Sequence, residues 1–351
     1  MARALQKIEL VALITVFPRI REMEREGRDR YGKGRNARGV DARGFARPLP
    51  RLNRMTYGSQ AHKDLFCTTF VETHRTFEPR ELPWPELDST SIDRLRAIPF
   101  WPVALAAERN AGYMVTAFAE RLDDPALRAA LAVQGVEETR HANLLAAMLA
   151  KYDVEIKEIP VKPLEPTERN FLDFGYEECI DSFFGFGIFG LAKNIQLFIP
   201  ALTDIFEIVL LEEARHVTFF VNWIAYERYR RGRAFAPFQA FATGLGYARA
   251  VRRIVTTFGP KAGDGGDGER ELQTQGVGFG AEGAFAMFED VTWRSFLRAC
   301  VDGNAHYLKA MPAGLLQPTV LTELAQAALA MPIPSFGKRV KVAKPRELVA
   351  A

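Results

Sequence analysis

A chain of 351 residues, 48% hydrophobic, can bury a large core and is longer than a bare four-helix bundle requires, which makes plain iron storage a poor fit. Its formal net charge of +3 makes no general case for a nucleic-acid partner. Three cysteines, Cys67, Cys179 and Cys300, are odd in number and widely spaced, which argues against a disulfide framework and for a reducing cytoplasm.

At the start of the chain the apolar run 10–17 is eight residues long, follows Glu9 and has no cleavage-like signal after it. It therefore predicts neither a membrane-spanning helix nor an export peptide. Residues 19–54 carry eleven arginines and Lys33 against five acidic residues, with several glycines and two prolines. They read as a solvated, irregular arm; the functional alternative is a docking surface for an acidic partner such as a small electron-transfer protein. Residues 1–94 are taken together as an N-terminal extension.

Phe100-Trp101-Pro102 opens an apolar helical run through Glu108, ended by the turn signal Leu122-Asp123-Asp124-Pro125. From Glu108 to Pro125 is 17 residues and from Pro125 to Glu138 is 13, so the two carboxylates are expected at similar heights on an antiparallel hairpin. The return helix carries Glu137-Glu138-Thr139-Arg140-His141. Residues 152–167, with Pro160, Pro163 and Pro166, read as an extended crossover. A second hairpin follows, with 170–194 outgoing and carrying Glu177, Glu178 and Asp181, a break at Ile199-Pro200, and 201–230 returning. Its return helix repeats the pattern as Glu212-Glu213-Ala214-Arg215-His216.

A Glu and a His three residues apart project from one helical face. One such pair is an ordinary surface feature. Two copies are different, because Leu144, Leu145, Ala147 and Met148 follow the first and the apolar residues 208–211 precede the second. Charges in such surroundings must be paired or hold metal. The other histidines, His62, His74 and His306, have no Glu at the matching place.

Beyond the hairpins, 234–257, 282–311 and the shorter 315–331 read as helices, the first two separated by the glycine-rich 263–268. They are assigned either to covering the bundle or to a subunit interface, which leaves a homodimer open. The stretches 185–190 and 278–283 match the dinucleotide fingerprint by letter, but neither follows a strand in a βαβ unit and both count as chance. Electrons for any redox chemistry would then come from outside. Phe183, Phe184, Phe186, Phe189, Leu191, Leu197 and Phe198 read as core packing, with Gly185, Gly187 and Gly190 permitting close approach. Any part of that run lining a cavity would select an apolar substrate. Cys179 reads as a small buried thiol rather than a ligand. The expected fold is all-α: a four-helix bundle over 95–232 with one long crossover, and a C-terminal helical extension over 233–351.

These residues resemble the carboxylate-bridged di-iron proteins of the ferritin-like superfamily, which include bacterial monooxygenase hydroxylases, soluble acyl-carrier desaturases and ribonucleotide reductase small subunits. The resemblance covers about 95–230 and rests on a Glu, then Glu-x-x-His about thirty residues later, twice over. It implies Glu108 and Glu178 as terminal carboxylates, Glu138 and Glu213 as bridging ones, and His141 and His216 as nitrogen ligands. Asp181 is the alternative to Glu178, since the interval to Glu213 is 35 residues from Glu178 and 32 from Asp181. Glu137 and Glu212 would accept hydrogen bonds from His216 and His141 respectively. Carboxylate and imidazole ligands suit iron, with a manganese–iron pair as the variant. Ser182, four residues after Glu178, matches a hydroxyl near the dioxygen site, or it bonds back to the helix.

The implied function is a dioxygen-activating hydroxylase or monooxygenase acting on an apolar or aromatic substrate, supplied with electrons by a ferredoxin-like donor or a reductase. Leu145 replaces the tyrosine of radical-storing subunits, and Val209 replaces the third histidine of the N-oxygenases. A desaturase or an N-oxygenase is the near alternative; residues 138–145 look like the matching helix of the desaturases. A non-catalytic metal-binding or redox-sensing bundle is the alternative of another class.

Overall fold

The structure is a computed structural model describing residues 55–98, 100–160, 164–258 and 291–331. The arginine-rich 19–54, the apolar run 10–17, the glycine-rich 263–268 and the second fingerprint-like stretch lie outside the described residues. Among those described there are nine α-helices and no strand, so the fold is all-α. The helices are α1 (Gln60–Glu72), α2 (Ser89–Arg96), α3 (Trp101–Ala119), α4 (Pro125–Lys151), α5 (Glu168–Asn194), α6 (Pro200–Arg230), α7 (Ala236–Phe258), α8 (Trp293–Leu308) and α9 (Val320–Ala330). No described helix is long and apolar enough to cross a membrane.

The helix starts follow from local chemistry. Ser59, Asp88, Asp124 and Thr167 accept hydrogen bonds from amides in the first turns of α1, α2, α4 and α5. Pro125 and Pro200 occupy the first helical positions of α4 and α6, where a missing N–H costs nothing. Thr292 and Ser295 cap each other reciprocally and start α8 at Trp293. That is later than the expected start at 282, of which 282–290 lie outside the described residues. The last helix begins at Val320, two residues after Pro318, rather than at 315.

Two reciprocal glycine contacts set how α3 and α4 meet. A Cβ on Gly112 would lie 2.6 Å from Thr139 Oγ1, and one on Gly135 would lie 2.2 Å from Thr116 Oγ1. The pairs 112/139 and 116/135 make the helices antiparallel and nearly in backbone contact. The same register brings Glu108 of α3 and Glu138 of α4 together, with ligating atoms within 4.8 Å of one another, as expected of the hairpin.

The crossover is irregular where described and is tied to α3 by an Arg109–Glu158 ion pair at 2.8 Å. Helices α5 and α6 run antiparallel, with Phe171 against Trp223 and Gly175 against Phe220. Helix α8 closes on α5 in the same sense, since a Cβ on Gly187 would meet Cys300 Sγ at 2.4 Å and Asn304 Nδ2 donates to Phe183 O at 3.2 Å. Most of the aromatic run of α5 is consumed by this packing. Phe186 is fully buried beside Tyr307, and Phe184 stacks on Phe296. Helix α1 lies across α4 and α6 and buries His62, Lys63, Phe66, Cys67 and Phe70.

Candidate metal centre

Four helices deliver carboxylates to one buried place: Glu108 from α3, Glu137 and Glu138 from α4, Glu178 from α5, and Glu212 and Glu213 from α6. His141 and His216 enter from α4 and α6 with rings 5.6 Å apart. Ligating atoms of Glu108, Glu138, His141 and Glu213 all lie within 4.8 Å of one another, a group that could hold a metal ion.

Each imidazole is used in the same way. Nε2 of His141 is 2.8 Å from Glu212 Oε2, and Nε2 of His216 is 2.9 Å from Glu137 Oε2. Each Glu-x-x-His pair is therefore oriented by the carboxylate that precedes the other pair. The opposite nitrogens face the carboxylates. His141 Nδ1 is 3.0 Å from Glu213 Oε1, 3.5 Å from Glu108 Oε2 and 3.9 Å from Glu138 Oε2. His216 Nδ1 is 3.1 Å from Glu138 Oε1 and 3.5 Å from Glu213 Oε2. Glu138 and Glu213 thus turn one oxygen toward each ring.

The arginine of each motif completes the arrangement. Arg140 Nη2 donates to Glu212 Oε1 and Arg215 Nη1 to Glu137 Oε1, both at 2.6 Å. Burial would raise the Glu137 carboxyl, but His216 and Arg215 hold it down to about 2; Glu212 is lowered against burial by His141 and Arg140. Each of these two carboxylates is held between an arginine and an imidazole.

Among the inner carboxylates, burial works against Glu213's charge but His216 and His141 hold it well below the usual range, whereas Glu108 and Glu178 are not so compensated. Burial first, and then the charges of Glu213 and Glu138, push Glu108 up to about 7 although His141 opposes them. Glu178 is raised well above the usual range by burial and by Glu213, Glu138, Asp181 and Glu108. Burial works against charge on both imidazoles, yet the surrounding carboxylates raise them well above the usual histidine value. His141 Nδ1, His216 Nδ1 and Glu213 Oε2 are buried without a hydrogen-bond partner. A polar cluster with orphaned donor atoms and mutually repelling carboxylates is what a cation would relieve. The residues present therefore fit a metal site.

Among the six expected ligands, Glu108, Glu138, His141, Glu213 and His216 converge. Glu178 stands outside the compact group but senses three of its carboxylates, whereas Asp181 is pushed up to about 7 by burial and, within the cluster, by Glu213 alone. Ser182 is buried one turn beyond Glu178, and its Oγ makes no hydrogen bond, so the back-bond to the helix is not formed. Burial pushes the Cys179 thiol up to about 12, as befits a core group. His62 is a satisfied core histidine, with Nδ1 accepting from Gly58 N at 3.0 Å and Nε2 2.8 Å from Asn222 Oδ1.

Three contacts were not read from the sequence. Arg140 and Arg215 stood in the repeated motif, and their repetition was the signal for a shared role. His74, whose Nδ1 lies 2.6 Å from Glu137 Oε1, had no local signal, because the contact spans 63 positions. Comparison with protein-family models, curated proteins and solved structures finds no match to this chain.

Proposed function

We propose that the cluster holds two divalent redox-active ions, iron or a manganese–iron pair, and that the protein is a dioxygen-activating oxidoreductase, a hydroxylase or monooxygenase of an apolar or aromatic substrate. The observation that carries this reading is the placement of Glu138 and Glu213, each with one oxygen toward each imidazole. Charge supports the number. Six carboxylates face two guanidiniums, and with the imidazoles neutral four negative charges remain, those balanced by two divalent ions. The compact group is rich in carboxylates and includes no cysteine, a set that suits iron or manganese.

Ions bound there would supply one-electron chemistry with dioxygen, placing one oxygen atom in the substrate and releasing the other as water. The chain's own groups do the remaining work. Glu137 and Glu212 hold the Nε2 protons of His216 and His141, which fixes Nδ1 as the ligand atom on both rings. Arg140 and Arg215 keep those carboxylates ionised, so the rings stay oriented whatever the inner charge. Phe70 packs beside His216. Ser182 offers a free hydroxyl on the face of α5 that carries Glu178 and could hold a proton there. The pair of electrons and the two protons for each turnover come from an external donor and solvent.

The test is anaerobic reduction of iron-loaded protein followed by exposure to oxygen with a panel of apolar and aromatic compounds. Substrate-dependent oxygen uptake with an oxygenated product supports the reading. Two bound ions that neither consume oxygen nor oxidise a reductant would reduce the protein to a structural metal bundle.

A further inference from the structure

The two halves of the cluster follow one rule and depart from it at one residue. In each, a histidine and the arginine before it grip the carboxylate of the other motif: His141 with Arg140 on Glu212, His216 with Arg215 on Glu137. The same arginines clamp the segment after α1. Arg215 donates to Phe70 O at 2.5 Å and to Thr73 Oγ1 at 2.9 Å, and Arg140 donates to Arg75 O at 2.7 Å and lies over the Phe77 ring. Between these anchors His74 is held with Nδ1 2.6 Å from Glu137 Oε1. Among the described residues no histidine does the same for Glu212, since His62 is engaged by Asn222 and Gly58 and His306 lies beside Glu207.

Glu137 accepts from Arg215 and His216 as an anion, so His74 must present its proton on Nδ1. Oε1 is then fixed by two donors, and Oε2 is left to His216 alone. The His74 side chain is 21% exposed while that of Glu137 is 0% exposed, so this imidazole links the buried Glu137 carboxylate to the surface. We infer that His74 is a positioning residue for one half of the site: it locks the Glu137 carboxylate against His216 and makes the ion on the His216 side depend on a third imidazole, a support that no histidine gives Glu212 on the His141 side. This rests on the two-ion reading of the cluster.

Anaerobic titration of the metal-free full chain with Fe(II) against a competing chelator tests it, with thermal stability of the metal-free protein measured alongside. In His74→Phe one of the two ions should bind about 10–100-fold more weakly, the usual effect of losing a partner behind a ligating histidine, while the other keeps its affinity within about twofold. His74→Asn, whose amide N–H can replace Nδ1–H, should restore most of the loss. A purely structural role would weaken both ions together and track the stability of the metal-free protein. Wild type binding two ions with His74→Phe unchanged, or with both ions weakened equally, overturns the inference alone. If His74→Phe does not fold, His74→Ala takes its place: one ion weakened with the other kept supports the inference, and both affinities unchanged or both reduced equally overturns it. Wild type binding no ion, or one, overturns the two-ion reading and this inference with it.

Discussion

His141 places Nε2 2.8 Å from Glu212 Oε2 across 71 positions of sequence, and this contact turns Nδ1 of the same ring toward Glu108, Glu138 and Glu213. Each motif is therefore incomplete without the other, which supplies the carboxylate that aims its histidine. Glu212→Gln keeps the shape and an acceptor oxygen but removes the charge shared with Arg140. It should weaken one bound ion by about 10–100-fold while the helical content is retained, as followed by chelator competition and circular dichroism. Unchanged affinity would mean that Glu212 serves Arg140 rather than His141.

Bridging predicts a loss that is not local. Glu138→Ala or Glu213→Ala should empty both ion positions and abolish oxygen uptake, because each side chain reaches toward both imidazoles. His306→Ala, on the exposed side of α8, should retain full metal content. His62→Ala should also keep its metal yet lose about 2–3 kcal/mol of stability, since it leaves Gly58 N–H and Asn222 without their buried partner. Elemental analysis and thermal melts separate the two effects.

Helix α5 gives a sharper choice. Glu178 senses the charges of Glu108, Glu138 and Glu213, and Asp181 among these only that of Glu213. Glu178→Ala should then lose one ion or all oxygen reactivity, while Asp181→Asn should hold two ions with altered turnover at most. Ser182→Ala should keep both ions and release more hydrogen peroxide per product formed. An Asp181→Asn protein lacking an ion, beside a fully loaded Glu178→Ala, would move the ligand along α5 and remove the basis for a role of Ser182.

How much of this was legible in the sequence depended on whether the signal was local. The hairpin α3–α4 could be read from Pro125 and Asp124, and the pairs Glu138/His141 and Glu213/His216 from helical spacing, because those constraints act within a turn or two. The closeness of α3 to α4 could not, since it depends on the Gly112–Thr139 and Gly135–Thr116 contacts. Arg140 and Arg215 repeat in the motif, but which carboxylate each meets is set only when the partner helix is present. The aromatic run of α5 gave hydrophobicity without direction, and only the approach of α8 at Gly187 shows that Phe184 and Phe186 face packing partners.

The start of α4 supplies a pH test independent of any metal. Burial works against Asp124's charge, but Lys63 and the amides of Leu127 and Ala126 hold its carboxyl below the ordinary range. Burial likewise opposes the Lys63 ammonium, and Asp124 raises it. The carboxylate's contribution is fully present above the unfolded value of about 3.9 and is lost as pH falls through the folded one. That of the ammonium is present below about 10.4 and lost as pH rises through its folded value. Asp124→Asn keeps an oxygen to cap α4 and removes the pair, so near neutral pH it should cost about 2 kcal/mol, or roughly 4–8 °C in Tm. The gap between variant and wild type should close as the pH falls through the lowered folded value of the Asp124 carboxyl; a gap constant from neutral to acid pH would assign the loss to capping geometry instead.

The central claim is that two Glu-x-x-His faces enclose a pair of ions bridged by Glu138 and Glu213. Metal analysis of protein expressed in iron-replete medium, joined to anomalous diffraction at the iron and manganese edges, measures it directly. The account predicts two iron or manganese ions per chain, both in contact with Glu138 and Glu213, one on the Nδ1 side of His141 and the other on the Nδ1 side of His216. One zinc ion per chain, or no ion between these four side chains, would contradict it.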